Sequence, residues 1–157
     1  ISRSLAKTLR KNKFRVSFDQ AFSRVIRACA GPRTNEPDTW LSAEMIQAYE
    51  QLHQRGIAHS AEVWLGDELV GGLYGIALGR IFFGESMFSR ISDASKVAFV
   101  QLVKRLQRAG YELIDCQVYT RHLESLGAEL ILRSEFQKLL DAGIEHPPLP
   151  TEFSVSW

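Results

Sequence analysis

Cysteine is scarce in this 157-residue chain, where only Cys29 and Cys116 occur. Two cysteines so far apart form neither a disulfide framework nor a zinc-ligand spacing. A reducing, cytoplasmic setting is the simplest expectation. Long apolar runs are also missing: no stretch of about 18 apolar residues offers a membrane span. The N-terminus lacks the charged-then-apolar layout of a secretory signal. Phosphate-cradling glycine patterns are absent, with no Gly-x-x-x-x-Gly-Lys and no Gly-x-Gly-x-x-Gly. There is no Gly-x-Ser-x-Gly nucleophile elbow. The histidines (His53, His59, His122 and His146) show no helical metal spacing, so no metal is expected. Because the first residue is Ile1 rather than Met, the chain is expected to be a piece of a longer one.

Acidic residues are nearly absent from one end. Residues 1–33 hold nine lysines and arginines against a single acid, Asp19; the remainder holds ten against seventeen. A net +8 end on a −7 body points to a polyanion-binding arm. A solvated basic helix face, or a patch meeting an acidic neighbouring domain, fits the charge equally well.

What is present reads as one globular domain over residues 1–157, with 45% apolar and 24% charged residues. Leu5 and Leu9 mark a short basic helix, and Phe14, Val16 and Phe18 alternate as a strand. Asp19 is placed to cap a helix with Phe22, Val25, Ile26 and Cys29 on one stripe. Gly31 to Pro37 is a loop. Ser42 caps a helix with Met45, Ile46, Tyr49 and Leu52 on one face, and Gly56 stops it. Ser60–Leu65, Leu69–Leu78 and Arg80–Gly84 form an antiparallel meander. Gly71, Gly72 and Gly75 inside it signal a bulge or a close approach. Asp93 is placed to cap a largely buried helix from Ala94 to Arg108. Glu112–Val118 and Glu129–Leu132 read as strands, a last helix opens at Arg133 or Ser134, and a proline-rich tail follows. The expected class is α/β (α+β), a mixed, mostly antiparallel sheet flanked by helices, as in the GNAT-like acetyltransferase plan.

Two motifs carry candidate chemistry. Glu85, in Gly84-Glu85-Ser86-Met87, directly follows the apolar Phe82 and Phe83. An acid there needs a partner or water, so it is either a ligand-facing carboxylate or the partner of Arg90. In Leu113-Ile114-Asp115-Cys116-Gln117-Val118, strand alternation puts Asp115 and Gln117 on one face. A carboxylate beside a carboxamide forms either a polar relay in a cleft or a buried tie to a loop. Cys116 points with the apolar set and reads as core. Trp40, ahead of a helix start, is either a base-stacking surface or a helix-entry staple. The nearest approach to a coenzyme A pyrophosphate loop, Gln107-Arg-Ala-Gly-Tyr-Glu112, ends in Glu rather than a small residue.

His59-Ser-Ala-Glu-Val-Trp64, Gly71-Gly-Leu-Tyr-Gly75, Phe83-Gly-Glu-Ser-Met-Phe-Ser-Arg90, Ala94-Ser-Lys96, Leu113-Ile-Asp-Cys-Gln-Val118 and His122…Ser125-Leu-Gly-Ala128 together resemble the bacterial leucyl/phenylalanyl-tRNA–protein transferases. The resemblance runs from Ile1 to about Ala142 and omits the family's small N-terminal domain. It implies transfer of Leu, Phe or Met from the 3′ end of tRNA to an N-terminal Arg or Lys of a protein, marking it for N-end rule degradation. It implies no metal and no coenzyme A. By the same resemblance, Asp115 and Gln117 form a catalytic relay and Glu85 holds the donor's α-amine. Phe82, Met87 and Ile114 wall the Leu/Phe pocket, and Trp40 stacks on the terminal adenine. Arg3, Lys7, Arg10, Lys11 and Lys13 lie along the acceptor stem. A monomer is expected. A non-catalytic RNA- or peptide-binding module and a coenzyme A-dependent N-acyltransferase are the rival expectations.

Overall fold

The structure is a computed structural model that describes residues 1–31 and 41–146. Five strands form one sheet in the order β1 (Arg15–Phe18), β2 (Ala58–Leu65), β3 (Glu68–Leu78), β4 (Ile81–Ser89) and β5 (Leu113–Asp115). The first four pair antiparallel and β5 joins β4 in parallel. Helices α1 (Arg3–Arg10) and α4 (Ala94–Arg108), with the short α5 (Arg121–Glu124), cover one face. Helices α2 (Phe22–Ala30) and α3 (Ala43–Gln54) cover the other. Helix α6 (Arg133–Glu145) lies against the β4–β5 edge, where Gly143 meets Ile81. The mixed, mostly antiparallel sheet flanked by helices is the expected class.

Both faces being covered explains why the meander is apolar throughout. Ala61, Val63 and Leu73 serve the α4 side. Trp64, Leu69 and Tyr74 serve the α2–α3 side. Helix α4 packs Val97, Ala98, Phe99, Val100, Leu102 and Leu106 into the core, as its broad apolar pattern predicts. Gly71 lies under the start of α4, and a methyl there would come within 2.6 Å of the Ala94 side chain.

Five readings need correction. Asp93 stands at the start of α4 with φ +68°, but its side chain makes no capping bond; it accepts from the Thr8 hydroxyl and pairs with Lys96. Asp19 does not cap α2, which starts from Ala21. Its φ is +56°, and its carboxylate instead accepts from the Ser60 backbone N–H and from His59. Strand β4 does not stop at Gly84 but runs to Ser89. Strand β5 is three residues, not seven, because Gln117 takes φ +62° and turns the chain out of the sheet. Residues 129–132 form no strand, and Leu130 and Leu132 are among the most exposed apolar residues. Trp40, residues 32–37 of the glycine–proline loop and the proline-rich tail from residue 147 lie outside the described residues.

Candidate active site

The site forms where β4 outlasts β5. The pairs Ile81–Leu113, Phe82–Ile114 and Phe83–Asp115 close the parallel ladder, and β4 then continues alone on that side. At the same level β4 carries a bulge. Tyr74 pairs with Ser86 and Gly75 with Gly84, so Glu85 is the extra residue with no partner on β3. A bulge re-aims the inserted side chain. Gly75 permits it, since a Cβ there would lie 2.2 Å from the Phe83 carbonyl oxygen.

Two side chains converge on the Glu85 carboxylate. The Tyr49 hydroxyl of α3 donates to Oε2 at 3.1 Å. The Gln117 Nε2 donates to Oε1 at 3.2 Å. Because a carboxylate only accepts, this contact fixes the orientation of the Gln117 amide, with Oε1 left outward as an acceptor. The Asp115 Oδ1 accepts from the Gln117 backbone N–H at 2.8 Å. Asp115 therefore holds the turn that projects Gln117, while Glu85 holds the carboxamide. The two residues meet through this turn rather than through strand alternation. Arg90 does not reach Glu85; it donates to the Leu69 carbonyl and lies over Phe88.

Burial first, then the Glu85 charge and hydrogen bond, push the Tyr49 hydroxyl up to about 12. Tyr49 thus stays a neutral donor across the biological range. It also stands edge-on to Tyr74, at 5.3 Å between ring centroids. In the sequence Tyr49 reads only as part of an apolar helix face; its hydroxyl is the signal that could have singled it out. Burial and the neighbouring Asp115 raise the Cys116 thiol, which keeps it a packed thiol rather than a nucleophile.

Phe82, Met87 and Ile114 share the α4 side of the sheet. Phe82 is 1% exposed, whereas Met87 and Ile114 are half-buried. Ile114, Asp115 and Gln117 also line a cleft of about 730 Å³ between α4, β5, the segment after it and α6. Burial and Lys96 lower the His122 ring below its ordinary value, so His122 is neutral at pH 7.

Helix α1 presents Arg3, Lys7, Arg10 and Lys11 at spacings that fall on one face. The opposite face packs on the core through Leu5, which is 2% exposed, and Leu9. Ser2 caps the helix, and the Thr8 hydroxyl donates to Asp93 at 3.2 Å, tying α1 to the start of α4. Lys13 lies beyond the helix, over the Phe14 ring. Among the described residues no group of three His, Cys, Asp or Glu is placed to hold a metal. Among them, too, no helix is long and apolar enough to cross a membrane.

The mixed sheet opens where a carboxylate, a carboxamide and a tyrosine meet, and solved structures share its fold. An aminoglycoside acetyltransferase from an uncultured soil metagenomic sample superimposes with a TM-score of 0.57 at 13% identity, over 78% of this chain and 94% of its own. The ribosomal-protein-alanine N-acetyltransferase of Brucella melitensis biovar Abortus does so with 0.53 at 14% identity, over 76% and 94%.

The sequence profile of the leucyl/phenylalanyl-tRNA protein transferases matches residues 1–141, and the chain belongs to that family. The leucyl/phenylalanyl-tRNA–protein transferase of Nitrosomonas eutropha is 57% identical over 147 residues, which is 94% of this chain and 63% of the relative. That of Azotobacter vinelandii is also 57% identical, over 96% of this chain and 66% of the relative. The chain thus spans a little under two thirds of the length of these curated relatives.

Proposed function

We propose that this chain is the acyl-transfer domain of an enzyme that moves Leu or Phe, and sometimes Met, from aminoacyl-tRNA to the N-terminal Arg or Lys of a protein. The product is marked for N-end rule degradation. The observation that carries the reading is the Glu85 carboxylate held between Tyr49 and Gln117, beside the Asp115 turn. The donor is already an activated ester. The acceptor is an α-amine of pKa about 8. The remaining work is orientation and proton movement.

Gln117 Oε1 accepts an N–H of the attacking amine and aims its lone pair at the ester carbonyl. The N–C bond forms, the ester C–O bond breaks, and the amine proton passes to the departing ribose hydroxyl. Asp115 acts through the backbone that positions Gln117. Glu85 has lone pairs beyond those used by Tyr49 and Gln117 and receives the donor's α-amine. Phe82, Met87 and Ile114 wall the pocket for its side chain. β-Branched donors fit poorly because they widen at the root. Arg3, Lys7, Arg10, Lys11 and Lys13 read acceptor-stem phosphates rather than sequence. Trp40 stacks on the terminal adenine, with the other half of that stack supplied by a further domain of the relatives. The isolated chain accordingly folds but holds the donor weakly.

The test is transfer of radiolabelled Leu from Leu-tRNA to a peptide that starts with Arg, with the relatives' remaining segment added in trans where needed. Transfer that collapses in Asp115→Ala is the expected result. Thermal stabilisation by acetyl-coenzyme A and none by an aminoacyl-adenosine analogue would overturn the reading in favour of a coenzyme A-dependent acyltransferase.

A further inference from the structure

We propose that Arg15 and Arg24, held over the Trp64 ring, form a second phosphate-binding surface for the donor tRNA, across the β1 edge from helix α1. The assignment rests on the aminoacyl-transfer reading and extends the RNA footprint to a side of the sheet that α1 does not cover.

The surface is built on one fixed ring. Trp64 is 7% exposed, and its indole N–H donates to Ser17 Oγ at 2.8 Å. Ser17 in turn donates to the buried Glu62. Arg15 lies directly opposite Trp64 in the β1–β2 ladder, with its guanidinium carbon 4.9 Å from the ring centroid. Arg24, on the exposed face of α2, brings its guanidinium carbon within 5.1 Å of the same ring. Two cations are thus held within about 10 Å of each other, roughly one Debye length at 0.1 M salt.

The nearby acids are already engaged. Asp19, the single acid among residues 1–33, accepts from His59 and from the Ser60 backbone N–H. Glu50 on α3 pairs with Arg27 at 2.9 Å. Among the described residues, Arg15 and Arg24 make ring contacts and no ion pair. The ring positions each guanidinium without spending its N–H donors on an oxygen. Both keep the planar fork that grips a phosphate through two oxygens. A phosphate placed between them also relieves their mutual repulsion.

Topology sets this surface apart from α1. The sheet order leaves β1 with a strand neighbour on one side alone. Helix α1 packs with Val16 and Phe18 on the α4 side, whereas Arg15 shares the opposite side with Trp64. Lys13 stands in the connection from α1 to β1 and joins the two sets of cations. A polyanion repeats its charge along its length, so one RNA serves cations on both sides of an edge. Phosphates beyond those met by α1 are the ones that reach Arg15 and Arg24.

Filter binding of uncharged leucine tRNA across a salt series tests this on the 157-residue chain, beside a hairpin that carries only the acceptor stem. The Arg15→Gln, Arg24→Gln double variant should weaken the full tRNA about tenfold. Its log–log salt slope should fall by about 1.4–1.8, for two phosphates no longer neutralised. The hairpin should bind as it does to the parent. Arg24→Glu should weaken the tRNA more than Arg24→Gln. Packing lost on Trp64 alone would lower the urea midpoint without moving the slope. An unchanged slope, or an equal loss for tRNA and hairpin, overturns the assignment. Polyglutamate that binds the parent as tightly as tRNA and is released by the same double variant would overturn it in favour of an acidic protein partner. Leu transfer with the parent's KM for Leu-tRNA in the double variant would sink the surface and spare the transfer reading. A lowered slope in the double variant, with no transfer from any aminoacyl-tRNA, would do the reverse.

Discussion

Glu85 owes its role to one inserted residue. Without the bulge opposite Gly75, strand alternation would reverse the faces of everything after it, and Met87 would leave the side it shares with Phe82 and Ile114. The carboxylate also sets the chemistry of Tyr49. Glu85→Gln removes the charge but leaves the burial, which is the larger cause of the shift. In an alkaline absorbance titration, referenced to Tyr49→Phe, Tyr49 should therefore drop from about 12 towards its ordinary 10 without reaching it. Asp115 invites a second comparison. Asn at 115 can still accept from the Gln117 backbone; Ala cannot, and φ +62° at Gln117 then goes unsupported. Leu transfer should fall on the order of 100-fold in Asp115→Ala and stay near the parent in Asp115→Asn. Equal losses in the two variants would instead make the Asp115 carboxylate itself the base. Glu85, Asp115 and Gln117 were legible in the sequence because polar residues beside apolar strand positions demand partners. Tyr49 was not, because a tyrosine in a Met45–Tyr49–Leu52 stripe looks like core until α3 is laid against β4.

At the scale of elements, periodicity exposed the helices and the meander, and failed where a backbone left its pattern. The apolar alternation of Ile114, Cys116 and Val118 continues past the point where β5 ends, since nothing in side-chain polarity reports a positive φ at Gln117. Leu130, Ile131 and Leu132 have strand composition but face the cleft and solvent instead of a ladder partner. Helix α1 is the opposite case, since its cationic stripe and apolar face are both plain in the sequence. Lys7→Ala and Arg10→Ala should each flatten the log–log salt dependence of tRNA binding by about 0.7–0.9 for each phosphate no longer neutralised, measured by filter binding across a salt series. Unaltered slopes would remove α1 from the RNA surface. Helix α6 meets β4 in a close approach at Gly143. A methyl on Gly143 would sit 2.2 Å from Ile81 Cδ1, and Ile81 is fully buried. Gly143→Ala should cost about 1–3 kcal/mol in urea unfolding. It should also raise hydrogen exchange in α6, which forms one wall of the cleft.

For the whole molecule, the charge asymmetry was visible in composition alone, but the buried acid that ties β1 and the start of α2 to β2 was not. Glu62 on β2 is 0% exposed. It accepts from the Ser17 and Ser60 hydroxyls at 2.5 Å and from the Ala21 backbone N–H at 3.4 Å. The Trp64 indole donates to the same Ser17 oxygen. One carboxylate thus anchors β1, the start of α2 and β2. Burial raises its pKa, and the hydrogen bonds only partly offset that. A carboxyl raised on folding favours the native state fully below its unfolded pKa, and this advantage fades as pH climbs through the raised value. Stability measured by urea unfolding should therefore decline from pH 4.5 upward by an amount that Glu62→Gln abolishes. Gln keeps acceptors for Ala21 and one serine and never pays the ionisation cost. Glu62→Ala leaves two buried hydroxyls and a backbone N–H short of acceptors, each worth roughly 1–3 kcal/mol, and should be the most destabilising change on the sheet. A Glu62→Gln protein with the parent's pH slope would show that the slope arises elsewhere.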